Sequence, residues 1–321
     1  MGHHDLFFKQ TFSIREHAVD YLQHILPPEL REGIDYATVT IEKDSHVDTK
    51  LAEYFSDTVY SCRFSGTDLK IALLLEHKSH PDNNLPFQLH RYMANLWKNS
   101  AKQKQPRMPV IPIVLYHGAD KWNPGLLSSR FKNLPDAVRP FVPDFEYIFV
   151  NLSAYSNEFI KEHFFTLASL RIAMLIMKNI FDQKLLAQNL GNFFELGRSI
   201  FQEAQGLNFL ESVINYLYRA TEIEINTVVE SIAAITIKGG EFAMSTAERL
   251  RQEGRQEGMQ KGMQKASNKM IFSLVKNAKK QGFPVETIAK IVNLDITLVK
   301  KILNNEKVEI PLHLLDLENN H

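Results

Sequence analysis

Residues 71–75, Ile-Ala-Leu-Leu-Leu, form an unbroken apolar run that stops abruptly at Glu76-His77-Lys78. A short run without polar alternation, bounded by turn signals, reads as a strand covered on both faces. Glu76 and Lys78 stand two residues apart, so their side chains leave one face of that strand and His77 leaves the other. A carboxylate and an ammonium at the end of a buried strand are costly unless paired. The fold must therefore bring partners to them.

The preceding segment supplies one. Residues 57–64 read as a strand, and Ser65-Gly66-Thr67-Asp68 carries hairpin turn chemistry. Pairing the hairpin about that turn sets Asp57 opposite residue 76, more or less. Two carboxylates at adjacent strand ends suit Mg²⁺ or Mn²⁺, because a hard cation of this size takes one or two carboxylates plus water and phosphate oxygens. Such an ion lowers the pKa of a bound water, and Lys78 is placed to orient that water or offset charge in the transition state. After a polar loop, Pro86 opens a helix with Leu89, Tyr92, Met93, Leu96 and Trp97 on one stripe. Gln88 and Tyr92 lie four apart on it, hence on one face, with Gln88 in reach of a metal water or a phosphate. The residues alone leave a plainer alternative: a strand-end salt bridge between Glu76 and Lys78, with Asp57 capping a turn.

The remaining elements set the class. Residues 13–25 are helical in spacing and end at Pro27-Pro28, and residues 110–116 and 145–152 read as further strands. The order is α/β, a mixed sheet flanked by helices. From residue 159 to about 238 the periodicity is helical, which extends the first domain over residues 1–243. Residues 244–270 contain a tetrapeptide repeat with Gly254, Gly258 and Gly262, read as a helix that either self-associates or serves as a linker. Interior helix glycines cost about 0.5–1 kcal/mol each, which favours a close-packing role and a homodimer through this helix. Residues 271–321 form a small helical unit resembling a helix-turn-helix, with Asp295 as N-cap. Lys290, Lys300 and Lys301 are candidate phosphate contacts, and a dimerisation or docking piece is the competing reading.

Charge follows the same division. The chain is formally neutral, yet residues 244–308 hold 13 Lys and Arg against 6 Asp and Glu, and residues 1–243 sum to −4. An acidic body with a basic tail suits a protein that gathers cations in one place and meets phosphate in another. Lys98, Lys102, Lys104 and Arg107 form a further basic stretch, complementing a helix C-terminus or tracking phosphate. Cys62 is the only cysteine, which excludes an intrachain disulfide and fits a cytoplasmic protein. No apolar run approaches the ~20 residues that cross a bilayer, so no membrane partner is expected. His80, His90 and His117 match no zinc-ligand spacing.

Asp57 followed by Glu76-His77-Lys78 resembles the D…(D/E)-x-K signature of PD-(D/E)XK nucleases, and Gln88-x-x-x-Tyr92 is similar to the Q-x-x-x-Y element of RecB-like members. More narrowly, His4–Lys9, Ser56-Asp57, Leu74–Ser79, Pro86–Leu89, Arg91-Tyr92 and Pro112–Gly118 resemble the recombination-promoting nuclease family, also called YhgA-like transposases. The resemblance implies a restriction-endonuclease-like sheet and Mg²⁺-dependent DNA cleavage that promotes recombination or horizontal gene transfer. Asp57 and Glu76 would bind the metal, Lys78 would assist the reaction, and Gln88 and Tyr92 would support it. Asp5, by default a helix N-cap before Leu6–Lys9, would on this resemblance contact DNA or a metal water. Ser56 stands where the signature has Pro, and Lys78 where many family members carry Gln. The rivals are a catalytically silent DNA-binding or scaffold protein on the same fold and a nuclease acting on RNA or acting as a toxin.

Overall fold

The protein is described from a computed structural model, which covers residues 2–42, 58–66, 70–306, 308 and 310. Contacts divide it into two compact units, Met1–Ala247 and Glu248–His321.

In the first unit a five-stranded mixed sheet runs in the order β1 (Ile34–Ile41), β2 (Thr58–Phe64), β3 (Lys70–Lys78), β4 (Val110–Tyr116) and β5 (Ile148–Asn151). The first two pairings are antiparallel and the last two parallel. Ser65 and Gly66, at the end of β2, take φ of 54° and 63°, in the left-handed region. β3 is central, and Ile71–Leu75 are all at most 3% exposed, as an uninterrupted apolar run should be.

The β3–β4 crossover is a helix, α4 (Leu85–Lys102), whose Leu85, Leu89 and Tyr92 pack on Leu74 and Val114. Since Leu74 faces α4, the alternation of the strand points Glu76 and Lys78 the same way and His77 to the opposite face. That opposite face carries α1 (His3–Phe12), whose Phe8 stacks on His77 at 5.0 Å between ring centroids. α2 (Arg15–Ile25) and, after the short α3 (Pro28–Gly33), a run of later helices complete the unit. These are α5 (Asn157–Glu162), α6 (Ala168–Asn179), α7 (Gln183–Glu195), α8 (Ala204–Ala220) and α9 (Ile225–Ala233). α6 is buried all round, with Ile172–Met177 at 0% exposure. Its first turn is capped from α2, where buried Asp20 accepts the Thr166 and Leu167 N–H groups at 2.9 and 2.8 Å.

Two sequence expectations change. The helix expected over residues 13–25 begins two residues later, at Arg15, whose guanidinium clamps the carbonyls of Val39, Tyr36 and Ala37 on β1. β1 itself was not anticipated. Its register slips between Asp35 and Thr40, so the apolar alternation that marks a strand is interrupted.

In the second unit, α10 (Ile237–Lys280), a 44-residue helix that begins in the first, carries the Gly repeat and is followed by α11 (Val285–Ile291) and α12 (Ile296–Leu303). Ile271, Val275, Ile288, Val292, Leu294, Val299 and Ile302 form its core. Among the described residues no helix is long and apolar enough to cross a membrane.

Candidate active site

Where β3 leaves the core, three residues close on one another. Glu76 is 1% exposed. Its Oε1 accepts from Gln88 Nε2 at 2.9 Å and from Lys78 Nζ at 3.2 Å. Lys78 Nζ also donates to Asp82 Oδ2 at 2.9 Å and to Gln88 Oε1 at 2.6 Å, so all three ammonium protons are engaged. Gln88 therefore grips both ends of the pair: its carbonyl takes the lysine and its amide the glutamate, while the amide also bonds the buried Tyr92 hydroxyl. Helical spacing explains the last contact, since residues four apart on α4 share a face.

Burial pulls the Lys78 pKa down, but Glu76 and Asp82 outweigh it and hold the ammonium above the ordinary lysine value. Burial likewise pushes Asp82 up, and its bonds to Lys78 and to the Asn84 N–H leave it below the usual carboxylate range. Lys78 is thus a fixed positive charge.

Glu76 Oε2 is buried without a hydrogen-bond partner. A buried acceptor in that state costs about 1–3 kcal/mol, and it is the only carboxylate oxygen among the described residues so placed. Glu76 lines an open cleft of about 370 Å³ together with Asp5, residues 77–82 and Gln88. An unpartnered hard oxygen donor on a residue that lines such a cleft fits Mg²⁺ or Mn²⁺, which keep several waters and take few protein ligands. Among the described residues, no group of three or more His, Cys, Asp or Glu side chains is set to hold a metal by itself. Asp57 lies outside the described residues; the last described pair on that hairpin is Thr58↔Leu75.

The other face of β3 bounds the cleft through histidines. His77 Nδ1 meets Asp5 Oδ1 at 3.2 Å, and its ring is sandwiched between Phe8 and His117, the latter at 4.7 Å. The bond to His77 lowers the Asp5 pKa. His4 donates or accepts through Nδ1 with the Tyr216 hydroxyl at 2.7 Å, and burial together with His77 lowers it to about 4. His117 is held well below the ordinary value, first by burial and then by His77.

The structure thus gathers Glu76, Lys78, Gln88 and Asp5 at one cleft, with the buried Tyr92 bonded to Gln88 behind it. Asp5 is not an N-cap: the helix begins at His3 with Gly2 as cap, and Asp5, in its first turn, accepts the Gly2 N–H at 3.1 Å. Lys98 and Lys102 are exposed further along α4, ten and fourteen residues beyond Gln88, or about 15 and 20 Å at 1.5 Å per residue. Lys104 follows the helix with φ of 56°. Lys290, Lys300 and Lys301 are exposed in the second unit. Sequence reasoning missed Asp82 and the His4–His77–His117 cluster. The Pro81-Asp82-Asn83-Asn84 string signals a turn, but nothing in it says that the turn folds back on Lys78.

Residues 2–207 match the family model described as "Putative transposase, YhgA-like". Similar proteins include the inactive recombination-promoting nuclease-like protein RpnE of Escherichia coli (strain K12), 29% identical over 91% of this chain and 94% of its own. The recombination-promoting nuclease RpnC of the same organism is 27% identical over 94% of this chain and 97% of its own. The recombination-promoting nuclease RpnA is 26% identical over 78% and 84%. No solved structure matches the chain.

Proposed function

The chain belongs to the YhgA-like transposase family, and from that premise we propose that it is a metal-dependent DNA endonuclease whose cuts promote recombination and the uptake of transferred DNA. The observation that carries the reading is Glu76: a buried carboxylate that lines an open cleft, with one oxygen held by Gln88 and Lys78 and the other left without a partner.

Glu76 and Asp57 are the residues that would hold Mg²⁺ or Mn²⁺. Bound there, the ion would supply an acidified water and charge neutralisation for phosphodiester hydrolysis. Gln88 keeps Glu76 Oε1 occupied, so that only Oε2 is presented. Lys78 can meet a phosphate oxygen by exchanging one acceptor, and Asp82, with a side chain 30% exposed, is the partner most open to replacement. Asp5 fixes the His77 ring and so the end of β3 from behind. In this reading the exposed Lys98, Lys102 and Lys104 track the flanking DNA backbone. The protein works as a homodimer through α10, where a Cβ at Gly258 or Gly262 would meet nothing within 4 Å and a second helix has room to approach.

Plasmid cleavage in Mg²⁺, Mn²⁺ or EDTA tests this beside Glu76→Ala and Asp57→Ala. Nicking that needs metal and disappears in both folded variants is the expected result. A second reading has its own support, because RpnE is named as inactive: a silent DNA-binding protein on the same fold. Wild-type protein that binds plasmid and leaves it intact in either metal would replace the first reading with this one.

A further inference from the structure

We propose that the second unit is a separate duplex-DNA reader, a helix-turn-helix that presents the outer face of α12 to the major groove. It deepens the preceding reading by naming what directs the protein to its substrate, and it uses no residue of the cleft.

The turn is built for the purpose. Four residues, 292–295, join α11 to α12. Asn293 takes a left-handed φ of 50°, Leu294 drops into the core at 6% exposure, and Asp295 caps α12 by accepting the Thr297 N–H at 2.7 Å. Ile288, Val292, Val299 and Ile302 seat both helices on Ile271 and Val275 of α10. Two helices joined by a short turn and braced by a third form the arrangement in which the second helix enters the groove.

The face of α12 turned away from this core is polar, and its end residues rest on acids that bases would displace: the Thr297 hydroxyl donates to Asp295 and the amide of the C-cap Asn304 to Glu306. Thr297, Lys300, Lys301 and Asn304, at helical positions i, i+3, i+4 and i+7, are all exposed. Asparagine bonds adenine edges and threonine serves any base, while Lys300 and Lys301 are placed to meet the flanking phosphates. Ile296, 38% exposed at the head of the helix, offers an apolar contact for a thymine methyl. Charge agrees with this assignment. Residues 259–305 carry nine lysines against only Glu286 and Asp295, in a chain of formal net charge zero, and Asp295 is occupied by its own cap. A charge concentration of this sign on a small unit is the complement of a phosphate backbone.

The test is anisotropy of the full chain with a short labelled DNA duplex in EDTA, where binding is read without cleavage. Lys300→Gln with Lys301→Gln should weaken binding about tenfold and reduce the slope of log K against log salt by about 1.8, two phosphate contacts' worth. Thr297→Ala and Asn304→Ala should flatten preference among duplex sequences, and Lys184→Gln, at an exposed lysine on α7 of the first unit, should bind as wild type. If the double variant, melting as wild type does, binds duplex within about twofold of it at every salt, the proposal is overturned and a protein-docking role takes its place. Metal-dependent plasmid cleavage in that same variant would leave the nuclease reading standing. Loss of binding there, with Glu76→Ala cutting like wild type, would sink the nuclease reading and keep this one.

Discussion

Glu76 Oε1 receives two donors while Oε2 receives none, and Gln88 is the residue that enforces the asymmetry. Gln88→Leu keeps the size of the side chain but removes its bonds to Glu76, Lys78 and Tyr92. It should destabilise the protein by about 1–3 kcal/mol in urea melts and lower cleavage about 100-fold, whereas Gln88→Glu should repel Glu76 and fare worse. His4 gives a prediction in pH. Its folded pKa of about 4 lies below the ordinary 6.5, so the unfolded chain binds the extra proton between those values. Stability from this group is full above pH 6.5 and falls as pH drops toward 4. After solvent screening of a half-buried ring the loss is about 1–2 kcal/mol. His4→Phe should flatten the curve over that window, and equal pH dependence of the two proteins in denaturant melts would contradict the assignment. At this scale the sequence showed Glu76, Lys78, Gln88 and Tyr92 because strand and helix periodicity put them on facing surfaces. It hid Asp82, which reaches Lys78 only because a loop turns back, and His117, which lies 113 residues from His4 and meets it through tertiary packing at 5.3 Å.

β3 and α4 carry the candidate site between them, so their packing is part of its chemistry. Leu89 adjoins Gln88 in sequence and is 0% exposed in the cluster with Leu74 and Val114. Leu89→Ala should cost about 2–5 kcal/mol and impair cleavage more than an equally destabilising change in the second unit, such as Val299→Ala. β2 to β5 were legible as runs of apolar or β-branched residues between turns. β1 was not, because the irregularity between Asp35 and Thr40 shifts its inward positions. In α10 the glycines make a separate prediction. Since a Cβ at Gly258 meets nothing, Gly258→Ala should stabilise the helix by about 0.5–1 kcal/mol in thermal melts, and in sedimentation it should reduce the dimer fraction.

Taken whole, the chain separates its charges by unit: residues 1–247 sum to −4, and residues 248–321 to +4. An acidic body around a cleft attracts cations, and a basic tail attracts nucleic acid. That division was visible in the sequence, because charge counts need no fold. Where the cation would sit was visible only in part, since it depends on which oxygen of Glu76 the neighbours leave open. Titration of the full chain with Mn²⁺, following free ion by electron paramagnetic resonance, tests the central claim at that atom. Wild-type protein should take up Mn²⁺ and cut DNA with it. Glu76→Gln, equal in size and with an unchanged melting temperature, should lose both. Equal Mn²⁺ uptake and equal cleavage by the two proteins would contradict the account.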